Sequence, residues 1–282
     1  MRRQLFIVIA LITLSAFFSN FGILRAEPLK KSYLQGLKGG VLQATEELPG
    51  KVTEIMKTLD DQMDLGFDIT AKVKLAQRRV SHGLKKMEMI YYRRDADDSF
   101  MILMTAPEAE KGNGYLKFED NFWMYRRNTR TFQHINRDES IGGSDASADD
   151  FEKRKLVELY RPETDEKGKE IYSKEKLGKI PVYKFKLLGK VEDVKYPQVV
   201  YWVRQDNYLP LKEQSFSLSG SLMETSYFLK YTKIKEKYVF IKGLFVDEFE
   251  KDNKTVVEIS SISTKKLEDS IFTKAYLENL SK

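Results

Sequence analysis

The stretch KGNGYLKFEDNFWMYRRNTRTFQHINRDESIGGSDASADDF, Lys111–Phe151, decides the fold. It reads as three short strands and then a loop, the strands being Tyr115–Glu119, Phe122–Arg126 and Thr131–Ile135. The turns Glu119-Asp120-Asn121 and Arg127-Asn128-Thr129-Arg130 are expected to be tight, because Asn and Asp tolerate positive φ and bond their own backbone. After Ile135 the polarity changes. Gly142-Gly143-Ser144-Asp145 form a small-residue loop, and Asp149-Asp150 suit the start of a short helix.

Outward from this stretch the same period of two continues. Ile69, Ala71, Val73 and Leu75 alternate with Thr70, Lys72, Lys74 and Ala76, and Met87 and Met89 alternate with Lys86 and Glu88. Phe100–Thr105 is a continuous apolar run, so this strand is buried on both faces or its phase is hidden. Downstream, Leu156–Tyr160 and Glu170–Ser173 read as short strands, and Val182–Leu188 alternates with Lys184 and Lys186. Gln198–Arg204, Leu211–Ser217, Met223–Thr232, Tyr238–Phe249 and Lys254–Thr264 follow, separated by Asp206-Asn207, Ser219-Gly220-Ser221 and Asp252-Asn253. Only Val52–Met63 has helical spacing, with Val52, Ile55, Met56, Leu59 and Met63 on one face.

Many strands with hairpin connections and one good helix predict a mainly β, α+β fold. The expected architecture is a curved antiparallel sheet of about ten or eleven strands, which twists and often closes or nearly closes. One short helix cannot cover so wide a face. The sheet must fold onto itself or keep an apolar concavity, and an open concavity is costly unless something apolar visits it.

The first 26 residues have another character. Arg2-Arg3 precede an apolar run, Leu5–Phe18, and small and polar residues lead to Ala26. That is the layout of a secretory signal peptide, with cleavage expected after Ala26. Leu24, three residues before that cut, is larger than such sites favour, so an uncleaved inner-membrane anchor is the alternative. Residues 27–50 form an N-terminal extension interrupted by Gly36, Gly39-Gly40 and Pro49-Gly50. The domain proper is expected over 51–282. Of 48 basic residues, Arg2, Arg3 and Arg25 leave with the signal, so 45 face 42 acidic ones. That excess is too small to indicate nucleic acid. The chain has no cysteine, which excludes disulfides, thiol nucleophiles, thiolate metal sites and acylation of an N-terminal cysteine.

The order of several segments resembles the LolA-like outer-membrane lipoprotein-sorting family. They are Lys111-Gly112, Gly114 and Leu116; Asn121, Trp123, Met124 and Tyr125; and Ser140, Gly142, Gly143, Ser144, Asp145, Ser147 and Asp150. The resemblance continues in YLPLKEQSFSLSGSLMETSYF (Tyr208–Phe228), TVVEISSI (Thr255–Ile262) and SIFTKAYLENL (Ser270–Leu280). It implies an incomplete β-barrel with a helical lid over a hydrophobic cavity that holds acyl chains. It also implies that the loop at Gly142, Gly143, Ser144 and Asp145 packs over that cavity as part of the lid.

The expected cavity lining is Ile69, Val73, Leu75, Met87, Met89, Ile102, Met104, Leu116, Phe118 and Trp123. Met87, Met89, Met101, Met104 and Met124 lie in neighbouring strands. Two readings of them stand: ordinary core, or a soft lining that adapts to irregular apolar guests. Trp123 reads as a core strand residue under the lid or as a residue at the cavity mouth.

Asp145, Ser147 and Asp149 have the spacing of a calcium loop. Asp150 stands where a glycine is needed and Leu156 where a bidentate acid is needed, so no metal is expected. Neither His82 nor His134 has a partner at ligand spacing, there is no G-x-S-x-G, and the carboxylates are scattered. The expectation is a protein that is not an enzyme and needs no cofactor. Arg126, Arg127 and Arg130 form a basic hairpin tip, solvated or facing lipid headgroups or an acidic partner.

The reading that follows is a monomeric periplasmic carrier that binds the acyl chains of lipoproteins or lipids for transport towards the outer membrane. An inner-membrane transporter and an outer-membrane acceptor are the implied partners. The alternative is a periplasmic sensor or scaffold of the same fold that binds a partner protein at a sheet edge. An integral outer-membrane barrel is set aside, because lysines at 72, 74, 184 and 186 alternate with the apolar positions.

Overall fold

A computed structural model describes residues 50–136, 139, 141, 154–192, 194–250 and 252–282. The element order is α1 (Lys51–Met63), β1 (Ile69–Arg79), β2 (Gly83–Arg94), β3 (Ser99–Ala106), β4 (Gly114–Phe118), β5 (Asn121–Arg126) and β6 (Thr131–His134). A one-turn α2 (Leu156–Leu159) then leads to β7 (Tyr160–Pro162), β8 (Tyr172–Leu177), β9 (Ile180–Gly189), β10 (Gln198–Arg204) and β11 (Pro210–Phe216). The chain finishes with β12 (Leu222–Ile234), β13 (Lys237–Asp247), β14 (Lys254–Ser263), a 3₁₀ turn (Asp269–Phe272) and α3 (Lys274–Leu280).

Among the described residues the 14 strands belong to one antiparallel, open sheet, ordered β6-β5-β4-β3-β2-β1-β14-β13-β12-β11-β10-β9-β7, with β8 also on β9. The mainly β curved sheet is as expected; the count among the described residues exceeds ten or eleven, with the short β7 and β8 both joining the β9 edge. Two meanders, β1–β6 and β9–β14, are held together by the pairing of β1 with β14. Their hairpins alternate between two rims. The turns β1–β2, β3–β4, β5–β6, β9–β10, β11–β12 and β13–β14 lie on one, the near rim. The turns β2–β3, β4–β5, β8–β9, β10–β11 and β12–β13 lie on the far rim.

Four details depart from the sequence reading. Lys274–Leu280 is a helix, although only Val52–Met63 has helical spacing. Leu156–Leu159 is a helical turn, not a strand, because its backbone amides are capped by Asp60 of α1, Oδ1 accepting from Leu156 at 2.7 Å and Oδ2 from Val157 at 3.1 Å. The second short strand begins at Tyr172, not Glu170, because Glu170 caps α1. In the tight turns the positive φ falls on Glu119 (54°) and Arg130 (52°), not on the neighbouring Asp120 and Asn128.

The inner face carries two apolar clusters and the outer face a third. One inner cluster spans β1–β5 and β12–β14; the other joins α1 to β9 and β10. On the outer face Leu267, Phe272 and Leu277 of the C-terminal segment cover Met101, Leu103, Leu116 and Tyr125. A Cβ on Gly114 would lie 2.4 Å from Leu277 Cδ1, so glycine is what lets α3 approach β4. Burial of β3 on both faces follows from these two layers.

Candidate functional site

The candidate site is the inner face across β1–β5, built in cross-strand rows. Ala71, Tyr91, Ile102, Tyr115 and Met124 make one row. Val73, Met89 and Met104 make the next, and Leu75 with Met87 a third. All are buried. Because side chains alternate along a strand, one parity choice per strand puts this whole set on one face. Among the described residues, what packs against the set from outside the sheet is Met63 at the end of α1, Leu65, Phe67, Ile135 and Ile141.

Seven of the expected lining residues, Ile69, Val73, Leu75, Met87, Met89, Ile102 and Met104, come together here. The other three do not. Leu116 and Trp123 pair across β4 and β5 on the outer face, under the C-terminal segment, with Lys274 Nζ 3.0 Å from the centre of the Trp123 ring. Phe118 shares their parity and is 42% exposed. Met101 is likewise outer, so it leaves the methionine set. The physical reason is the double burial of β3 to β5, which makes both parities apolar and hides the inward phase. Tyr115, Phe122 and Met124 take the inner places instead.

The far-rim end of this face is ionic. Arg93, with no exposed surface, lies on the row Ile69–Arg93–Phe100–Lys117–Phe122. Its guanidinium reaches Asp98 at 2.5 Å, the Tyr91 hydroxyl at 3.1 Å and Asp95 at 3.6 Å, and Lys117 Nζ binds Asp98 at 2.5 Å. Two buried cations against two carboxylates leave this end neutral. The signal for it was in the sequence, since Arg93 stands at an inward position of β2.

Towards the near rim the same face becomes polar again. The row Tyr201–Glu213–Ser226–Phe245–Thr255–Gln77 crosses five strand pairs. Ser215 donates to Glu213 at 3.1 Å and Ser226 to Glu224 at 2.9 Å. Burial pushes the Glu213 carboxyl and the Tyr201 hydroxyl above their ordinary ranges, although Tyr201, Ser215 and Lys195 act to hold Glu213 down.

The second inner cluster has a lid. Val52, Ile55, Met56 and Leu59 of α1 pack on Phe185, Leu187, Val199 and Val203. Gly50 offers no side chain to cap α1, so Glu170, far along the chain, does it, its carboxylate accepting from Val52 N at 2.6 Å and Thr53 N at 3.1 Å. A Cβ on Gly50 would lie 2.2 Å from that carboxylate. At the other end Asp60 caps α2 and Gln62 donates to the Asn207 carbonyl at 2.8 Å. Burial raises the Asp60 carboxyl to about 6, against the two amides that favour its ionised form. Lys51 is pushed up to about 12, chiefly by its bond to the Tyr208 hydroxyl and also by Glu54. Sequence spacing found the helix; it had no way to pair Glu170 or Asp60 with their distant amides.

Gly142, Gly143, Ser144 and Asp145, and the calcium-like spacing Asp145-Ser147-Asp149, lie outside the described residues, as do residues 1–49. Among the described residues no group of three His, Cys, Asp or Glu could hold a metal ion, and no helix is long and apolar enough to cross a membrane.

A family model described as "-like: Uncharacterized protein" matches residues 96–279. No curated protein matches. A LolA superfamily protein from Nitrosomonas europaea is 20% identical with a TM-score of 0.63, covering 79% of this chain and 97% of its own. A domain from Vibrio parahaemolyticus classed with outer membrane lipoprotein-sorting proteins is 18% identical with a TM-score of 0.66, covering 79% and 97%. A DUF1329 family protein from Desulfovibrio piger is 19% identical with a TM-score of 0.68, covering 81% and 100%. The chain thus has the LolA-like fold and belongs to the family, described as an uncharacterized protein, whose model spans residues 96–279.

Proposed function

We propose that this protein is a periplasmic carrier that takes up the acyl chains of a lipoprotein or lipid against the inner face of β1–β5. The observation that carries the reading is the row structure there. Met87, Met89, Met104 and Met124 are inner-face neighbours, Met89 directly opposite Met104. Thioethers on unbranched chains repack around guests of irregular shape. No bond is made or broken. Burial of about 0.8 kcal/mol per methylene lets such a face compete with a bilayer for an acyl chain. Residues 1–26, as an export signal, and the glycine-rich loop at 142–145, as part of a cover, belong to this proposal. So do loading at the inner membrane and delivery to an outer-membrane acceptor.

The test is native mass spectrometry of the chain purified from the periplasm without detergent, followed by organic extraction. A bound mass that extracts as an acyl lipid supports the carrier and names its cargo class. An unliganded mass that gains nothing on adding lipid or lipopeptide removes the cavity argument.

A second reading, a scaffold that binds a partner peptide, is favoured by the sheet's open edge. Among the described residues β6 pairs only with β5. A four-residue strand at the edge of a sheet can accept another strand. A stable protein complex without lipid would promote this reading over the carrier.

A further inference from the structure

The hairpin tips on the two rims differ in kind. On the near rim, four successive tips along the sheet present large apolar side chains to solvent. Val80 (71% exposed) and Leu84 (61%) stand at β1–β2, Phe249 (53%) at β13–β14, Leu218 (84%) at β11–β12 and Val191 (40%) at β9–β10. Val80 N bonds Asn253 Oδ1 at 3.0 Å and Glu248 N bonds the Met223 carbonyl at 2.9 Å, so adjacent tips are tied side by side. Further along the same rim, the β5–β6 tip carries the exposed Arg126, Arg127 and Arg130. Beside the β1–β2 tip, exposed Arg78 and Lys254 are directly cross-strand partners. Like charges directly opposite one another are destabilising in a sheet.

Among the described residues the far rim exposes one such apolar group, Phe118, at the last position of β4 as Leu84 is near the first of β2. The exposed charged residues of the far-rim turns are Asp97, Glu119, Asp120, Asp206 and Glu236, with Lys179 and Lys235. The near rim also carries exposed acids, Glu108, Glu192, Glu248, Glu250 and Asp252, so the rims contrast in their apolar groups and in the arginine-bearing β5–β6 tip rather than in overall charge.

We propose that the near rim docks on the surface of an anionic phospholipid bilayer, with Val80, Leu84, Leu218 and Phe249 inserted at the headgroup boundary and Arg126 and Arg130 on the phosphates. The spacing favours a bilayer over a protein. A protein partner needs a contiguous apolar core packed to interior density. Here single apolar side chains sit on separate tips between serines and charges, each able to enter a fluid interface on its own. Apolar anchors with flanking basic residues are the combination that holds a protein at such an interface. The inference goes beyond the carrier reading and does not need it, since docking requires nothing of the inner face.

The experiment is co-sedimentation of the full exported chain with vesicles of phosphatidylethanolamine and phosphatidylglycerol, against vesicles of phosphatidylcholine. The chain is expected to sediment with the anionic vesicles. Combined Val80→Ser, Leu84→Ser, Leu218→Ser and Phe249→Ser substitutions should reduce binding at least about tenfold. These positions are solvent-exposed, so an unchanged circular dichroism spectrum is expected. Arg126→Glu with Arg130→Glu should abolish the preference for anionic vesicles, by about fivefold or more per residue. A chain that stays in the supernatant with both vesicles overturns the proposal, as does a serine variant that sediments like the parent. A chain that yields extracted lipid but ignores vesicles fails here and leaves the carrier standing; a lipid-free chain that sediments does the reverse.

Discussion

The two inner-face clusters rest on the same sheet and are closed in different ways. At the β9–β10 end, α1 lies across the strands and is pinned at both ends, by Glu170 on its first amides and by Asp60 on α2. Across β1–β5 the described contacts from outside the sheet come from Met63 and four other side chains, and the surface beneath is methionine-rich. The first arrangement uses polar clamps between distant residues to hold one packing. The second relies on soft side chains and has an ion cluster only at its far-rim end. A clamped lid specifies a unique core, whereas a methionine face tolerates several packings. This is why the candidate ligand face is assigned to β1–β5.

The largest effect should come from the ionic end of the methionine region. Arg93→Ala takes the guanidinium from Asp95 and Asp98, leaving Lys117 on Asp98, and should cost about 3–5 kcal/mol in urea unfolding. A loss under about 1 kcal/mol would mean that this end is hydrated and not part of a closed core.

The clamped region should reveal itself by pH. The folded Asp60 carboxyl sits at about 6 against an ordinary 3.8, so the fold prefers it protonated. Its stabilising contribution is present in full below pH 3.8 and is lost as pH rises through about 6. By pH 7 this group alone costs about 3 kcal/mol relative to the acid limit. Asp60→Asn should flatten that part of the stability profile, read from thermal melts between pH 4 and 7; an unchanged profile would place the titration elsewhere.

Next comes the distant cap. Glu170→Ala removes the partner of the Val52 and Thr53 amides and should cost about 1–2 kcal/mol. Hydrogen exchange should speed up in the first turn of α1 and not in β1–β5. If both regions speed up together, the two clusters are one cooperative unit and the contrast fails.

The smallest stability effect should be at the methionines. Met87→Leu, Met89→Leu and Met104→Leu conserve volume and should each change stability by less than about 1.5 kcal/mol. Lipid recovered on extraction should nonetheless fall in the triple variant, because branched side chains adapt less well. Equal recovery would return these methionines to ordinary core.

Much of this architecture was legible beforehand because alternation is a local property. Ile69 to Leu75, the pair Met87 and Met89, and the hairpin signals around Asn121 and Asn253 predicted strands that the structure contains. The helix at Val52–Met63 followed from its spacing in the same way. Where a strand is apolar on both parities, as in Phe100–Thr105 and Phe122–Arg126, alternation loses its phase. The inner or outer place of Leu116, Phe118 and Trp123 was then set by α3, which covers one side. Caps that join Glu170 to Val52 and Asp60 to Leu156 connect residues about a hundred positions apart, beyond any periodicity. The sequence by itself determined strand positions, hairpins, the absence of thiol chemistry and the amphipathic helix, all of which depend on near neighbours. Only the tertiary structure decided which face each strand turns inward, which buried charges meet, and which tips share a rim, because those depend on the pairing of β1 with β14 that brings the two meanders into one sheet.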